Sequence, residues 1–151
     1  MKIQIGIFIL ALVAISKSTT VKYKDCGSKM ATVKKIEVFP CDVPTACHLK
    51  KGQSYTINAT FETSSEITAA EANVHGIIAG IPVPFPLKVK DACKGGLSGL
   101  NCPIPTGTIS TYTATLPIQK LYPDIKVIVK WELQQDSTDI ICFELEIAIV
   151  P

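Results

Sequence analysis

Two stretches near the end of the chain place an apolar side chain at every second residue, and this period narrows the accessible folds more than any other feature. In "IKVIVKWEL" (125–133) Ile125, Val127, Val129, Trp131 and Leu133 share one face, with Lys126, Lys130 and Glu132 opposite and Ile128 as the exception. "IICFELEIAIV" repeats the pattern, with Ile141, Phe143, Leu145, Ile147 and Ile149 facing in and Glu144 and Glu146 facing out. "SYTINATFE" (54–62) alternates Tyr55, Ile57, Ala59 and Phe61 with Thr56, Asn58, Thr60 and Glu62. A period of two belongs to a strand with one buried and one wet face. Weaker strands fit 33–39, 71–80 and 109–116, and no segment shows a convincing helical period. With turns at "KKGQS", "KGGLSG", "IPTGT" and "LYPD", the expected class is all-β, a sandwich of about seven strands in one domain.

The stretch "GIPVPFPLK" (80–88) adds its own constraint, because Pro82, Pro84 and Pro86 alternate with Ile81, Val83, Phe85 and Leu87. In an extended chain, residues two apart aim their N–H groups at the same edge, so the prolines strip donors from one edge only. The other edge can still pair, and four apolar side chains share a face. Such a segment fits a boundary strand that closes a hydrophobic space with no neighbour beyond it.

Residues 1–18, "MKIQIGIFILALVAISKS", read as a secretory signal peptide cut after Ser18: an early Lys, an apolar run from Ile5 to Ile15, then Ser16 and Ser18 around Lys17. The run is too short to span a bilayer comfortably, and no later segment reaches the length of a membrane helix. The expected mature domain, 19–151, is soluble and carries 13 Lys against 13 Asp and Glu, with no Arg. Nucleic-acid binding normally uses a basic excess and Arg forks, so that class is excluded.

Six cysteines after a signal peptide, Cys26, Cys41, Cys47, Cys93, Cys102 and Cys142, point to three disulfides, although six allow 15 connectivities. Cys41 and Cys47 bracket "DVPTA", and Cys93 and Cys102 bracket "KGGLSGLN", loop compositions that a short bridge would staple. Elimination then leaves Cys26 with Cys142. No Cys-x-x-Cys or His cluster accompanies them, so no metal is expected, and no cofactor motif is present.

Catalytic signals are weak. "GLSGL" lacks the second Gly of a nucleophile elbow around Ser98. His48 sits beside a cysteine and His75 within a strand, so structural roles are expected for both and no enzyme is expected. An immunoglobulin-type adhesion domain places its Trp soon after the first Cys, whereas Trp131 comes late. The one N-glycosylation sequon, "NAT" at Asn58, lies on the polar face of its strand.

Together "YKDCGS" (23–28), "KGQSYTINATF" (51–61), "VHGIIAGIPVPFPLK" (74–88), "NCPI" (101–104), "LYPDIKVIVKWEL" (121–133) and "ICFELEI" resemble the ML lipid-recognition family, and within it the Niemann-Pick type C2-like sterol carriers. The resemblance spans the expected mature domain. It implies an immunoglobulin-like two-sheet sandwich with an apolar tunnel between the sheets for one lipid, and it supports the same three cysteine pairings. Carried over by position, the sterol-contacting Phe falls on Phe85, beside Val83, the entrance Tyr on Tyr122, an aliphatic wall residue on Ile118 and the tunnel Trp on Trp131. Phe143 stands where the family usually has a second Trp, and "LKVKDAC" replaces the Pro and acidic residues that usually follow "PVPFP". The implied function is a monomeric carrier, secreted or in the lysosomal lumen, that passes a sterol to membranes or to a membrane sterol-transport protein. Relatives of the same fold suggest fatty-acid or semiochemical carriage and innate-immune recognition of microbial lipid as alternatives.

Overall fold

The alternating stretches form the long strands of two facing sheets in a computed structural model that describes Gly6 and residues 18–151. Apart from Gly6 and Ser18, the expected signal peptide lies outside the described residues. The first sheet orders β1 (Thr19–Thr20), β3 (Ala31–Phe39), β5 (Ser54–Thr63) and β8 (Ile109–Pro117) as β1-β3-β5-β8. The second orders β2 (Lys24–Asp25), β10 (Thr138–Val150), β9 (Ile125–Gln135), β6 (Glu71–Ile78) and β7 (Ile81–Pro84) as β2-β10-β9-β6-β7. β4 (Cys47–Lys50) joins the second sheet by pairing in parallel with Ile147–Val150 of β10. All other pairings are antiparallel.

Ten strands stand among the described residues where about seven were expected. The additions are short: β1 and β2 have two residues each and β4 has four, too few to display a period. The inward residues of the long strands, among them Ile36, Ile57, Phe61, Trp131, Leu133, Ile141 and Phe143, interleave into one buried core. Ile128, the break in the β9 alternation, stays on the outer face and is 37% exposed.

Two hairpins turn through two-residue loops. Ile78 pairs with Ile81 across Ala79 and Gly80, and Gln135 pairs with Thr138 across Asp136 and Ser137. All four loop residues have positive φ, between 49° and 79°, which lets the turn follow the right-handed twist of the strands it joins.

The disulfides are Cys26–Cys142, Cys41–Cys47 and Cys93–Cys102. The first fixes the segment after β2 to the middle of β10. The second staples the loop that leads into β4. The third closes the excursion from β7 to β8, which lies along the free side of β8, where the Thr113 N–H donates to the Ser98 carbonyl at 2.9 Å.

Candidate functional site

The proline-rich stretch forms the outer strand of the second sheet, with no strand beyond β7 in the sheet order. The Phe85 N–H donates to the Val74 carbonyl at 2.8 Å, so by alternation the N–H groups of Ile81 and Val83 also aim at β6. Pro82, Pro84 and Pro86 then fall on the open side, where a missing donor costs nothing.

From Phe85 an apolar row crosses the sheet. Phe85 lies beside Val74, Val74 pairs with Trp131, and Trp131 pairs with Phe143. Adjacent strands are about 4.8 Å apart, so Trp131 lies roughly 10 Å and Phe143 roughly 14 Å in from Phe85. Exposure falls steeply along this direction. Ile81 and Val83 are 65% and 45% exposed, Phe85 is half-buried, and Trp131 and Phe143 are at 0%. Val83 therefore stands at the open rim, and Trp131 and Phe143 lie in the dry interior.

Tyr122 meets Phe85 at this rim, the rings edge to face with centroids 5.4 Å apart. It comes from the "LYPD" turn after β8. Its backbone N–H donates to the Gln119 carbonyl at 3.1 Å, and an ion pair between Lys51 and Asp124 holds the next part of the turn. Partial burial pushes the Tyr122 phenol above its ordinary pKa. Ile118 is buried, with its N–H donating to Gln53 and its carbonyl accepting from Gly52. Leu121 is 94% exposed beside these groups. A cleft of about 330 Å³ opens nearby between Leu87, Val89 and Leu97 on one side and Ala114 and Pro117 of β8 on the other.

Behind the rim the sheets are in contact. Trp131 stacks on Phe143 at 6.1 Å with an interplanar angle of 8°, and Tyr112 of β8 meets Trp131 edge to face at 6.0 Å. None of the three has measurable exposure, so no water-sized void touches them. The tunnel expected between the sheets is therefore closed at this depth. The reason is packing: apolar walls this near reach van der Waals contact as any protein interior does. Passage along the row requires the sheets to part there.

Sequence reasoning missed Tyr112. Its signal was present, since it is the one aromatic on the inward side of "ISTYTATL". Burial pushes its phenol up to about 12, opposed in part by the neighbouring Trp131 indole. Neither the Tyr112 hydroxyl nor Trp131 Nε1 has a hydrogen-bond partner among the described residues. The indole thus lies close enough to act on the phenol, yet in a geometry that makes no hydrogen bond.

Other polar groups lie away from this row. His48 Nδ1 meets Asp42 Oδ2 at 2.7 Å on the surface, and the backbone N–H of His48 is the first cause that lowers Asp42 to about 2. His75 stands in β6 opposite Pro84 and Lys130. Glu132, Asp139 and Cys142 bring ligand-type atoms within 4.8 Å of one another. The Cys142 sulfur, however, is committed to its disulfide, and the Gln134 amide donates to both carboxylates. A larger cleft of about 410 Å³ lies on the outer face of the second sheet, where Lys22 and Lys24 stand near Glu144 and Glu146. Its mixed charges suit a solvated surface.

Comparison with known proteins follows the same geometry. Residues 20–149 match the ML domain family. The chain is 43% identical to the NPC intracellular cholesterol transporter 2 of Mus musculus over 145 residues, 95% of this chain and 94% of that one. It is also 43% identical to the NPC intracellular cholesterol transporter 2 homolog a of Drosophila melanogaster, covering 82% of this chain and 84% of the other. Among solved structures, a Niemann-Pick type C2 protein from the Japanese carpenter ant superposes with a TM-score of 0.78 at 27% identity, covering 85% of this chain and 99% of that chain.

Proposed function

We propose that this chain, which belongs to the ML domain family, is a carrier that takes up one sterol between its sheets and hands it to a membrane or to a membrane sterol-transport protein. The observation that carries the reading is the apolar row from the exposed β7 rim through Phe85 to buried Trp131, on a fold shared with the cholesterol transporters. Phe85, Tyr122 and Val83 form the mouth, and Ile118, Trp131 and Phe143 the inner wall. The relatives' names support a sterol as cargo.

The energetics suit carriage. A sterol of about 28 heavy atoms, at roughly 0.3 kcal/mol per atom, gains on the order of 8 kcal/mol, which corresponds to about micromolar affinity. Such a complex forms and releases without covalent chemistry, and the reading needs no catalytic residue and no cofactor. Removal to the secretory pathway or the lysosomal lumen, by the leader expected over residues 1–18, belongs to the same proposal. Among the described residues no helix is long and apolar enough to cross a membrane. The exposed apolar rim, with Leu121, Ile81 and Val83, is where transient contact with a bilayer is expected.

The test separates pocket from core at Phe85. If Phe85 packs mainly on cargo, Phe85→Ala weakens sterol binding at least tenfold and costs the ligand-free protein less than about 1 kcal/mol, because the ring is half-buried at a rim. A core Phe would cost about 3 to 5 kcal/mol of unfolding stability with or without sterol. Denaturant unfolding of both proteins, beside a fluorescent-sterol titration, distinguishes the two. Unchanged affinity with a large stability loss sinks the pocket assignment. Competition by a long-chain fatty acid or a lipopolysaccharide that displaces the sterol at lower concentration would reassign the cargo.

A further inference from the structure

The two sheets are fastened unequally along their two sides. On one side the short connections among β1, β2, β3 and β4 cross from sheet to sheet, and Cys26–Cys142 ties one of them to β10. On the other side, between β6 and β7 of one sheet and β8 of the other, closure falls to the excursion after β7. Its first part runs with β6: the Ala72 N–H donates to the Lys90 carbonyl and the Ala92 N–H to the Ala70 carbonyl, both at 2.8 Å. Its tip rests on β8. There the Ser98 carbonyl accepts from Thr113 at 2.9 Å, and Gly99 lies so near that a Cβ on it would stand 3.0 Å from the Thr111 carbonyl oxygen.

Beyond Thr113 this fastening stops. By alternation the Thr115 N–H faces the same side as that of Thr113, and Pro117 has no N–H to offer. Both residues line the cleft of about 330 Å³, with Leu87, Val89, Leu97 and Ala114. Leu87 and Ala114 also pack on the core, so the cleft approaches the space between the sheets from the side. Phe85 stands two residues before Leu87, which places the cleft next to the mouth.

We propose that residues 87–99 form a strap that gates the cargo: the sheets part on this side when Ser98 and Gly99 leave β8, with Gly95 and Gly96 as the hinge. This rests on the carrier reading and names the movement by which the closed interior admits a sterol. Gly95 and Gly96 have φ of 58° and 69°, and a Cβ on either would meet nothing within 4 Å, so no packing restrains them. The Cys93–Cys102 bridge closes the loop at its base, so the tip swings as a unit instead of unravelling.

A gate sets how fast cargo passes, not how tightly it is held, because the strap is fastened in the empty and the loaded protein alike. Uptake of a fluorescent sterol is followed by energy transfer from Trp131, the single tryptophan of the chain, and release by dilution into cyclodextrin. Gly99→Ala drives a Cβ against the Thr111 carbonyl at a φ of 78°. It should speed uptake and release alike by about fivefold, the worth of one hydrogen bond, with Kd changed less than about twofold. Gly95→Asn together with Gly96→Asn should slow both about threefold, because Asn accepts these left-handed angles and is freer to leave them than Gly in neither direction.

Unchanged rates in both variants overturn the gate. So does a change confined to release, the signature of a strap that touches the cargo instead of admitting it. Should Gly99→Ala fail to fold, the Asn pair, whose Cβ atoms have open space, decides alone. Failure of the carrier reading looks different, because wild type then takes up no sterol at all.

Discussion

At the scale of single residues, side-chain direction was easier to read than side-chain contact. Alternation assigned Trp131 and Phe143 to an inward face, and they are buried. That Trp131 reaches across to Tyr112 depends on how two sheets stack, which no local period records. Asn58 carries a prediction of this kind. It lies on the outer face of β5, half-exposed, with its Oδ1 accepting from Thr113 Oγ1 at 2.8 Å, so the amide nitrogen that would carry a glycan is not consumed by that bond. Glycosidase treatment should lower the mass of the protein made in a secretory system, and Asn58→Gln should abolish the shift; an unchanged mass for wild type would refute occupancy. Glu132 carries another. Burial raises its carboxyl above the ordinary 4.5, helped by a hydrogen bond and charge from Asp139 and opposed by Lys130. Folding therefore favours the protonated form, and this contribution to stability is present below 4.5 and lost as pH rises through the folded value. Asp42, held down to about 2, has the opposite sign, contributing above 3.8 and failing as pH falls towards its folded value. The melting temperature should thus rise as pH falls through the folded value of Glu132 towards 4.5 and drop in stronger acid as Asp42 protonates, with Glu132→Gln flattening the rise. A wild-type melting temperature that falls steadily below neutral would contradict this.

At the scale of elements, the long strands were readable because each repeats its pattern often enough to exceed chance. β5 and β9 begin where the alternation starts, and β10 begins two residues before it. β1, β2 and β4 were not readable, since two to four residues cannot show a period and they exist only through their partners. The proline-blunted strand was readable for a different reason. Proline acts on the hydrogen-bond ladder directly, so its spacing alone told which side of β7 could pair. The hairpin after β6 shows a place where sequence and geometry disagree. Ala79 sits at φ 50° and Gly80 at φ 79°, a turn that favours Asn-Gly, and an L-alanine in the left-handed region is strained. Ala79→Asn should therefore stabilise the protein by about 0.5 to 1 kcal/mol without altering sterol affinity. Equilibrium denaturation checks it, and a loss of stability would show that the loop is not relaxed by Asn.

At the scale of the molecule, the fold class was written in the pattern of strands, but strand order was not. The parallel pairing of β4 with β10 and the bridge between Ile67 and Ile104 join segments far apart in sequence, and such contacts leave no local trace. Cysteines are the exception, because a covalent partner survives as a residue type even when its contact cannot be read. Their worth should differ by span. In the loop-entropy view a bridge across 116 residues constrains the unfolded chain by about 4 to 5 kcal/mol, against roughly 2.5 kcal/mol for one across nine. Replacing Cys26 and Cys142 by Ala should therefore lower unfolding stability about 2 kcal/mol more than replacing Cys93 and Cys102, measured by denaturant unfolding under non-reducing conditions. Equal losses would mean that native-state contacts, rather than span, set their value. The same long bridge bears on survival among proteases. A single cut in any loop between Cys26 and Cys142 leaves both pieces joined by the disulfide and by the sheets, so the nicked molecule remains one particle. Degradation of the nicked molecule then needs either a second cut between the same two cysteines or a reductant, so its lifetime among proteases is set by the redox state of its surroundings as much as by their number.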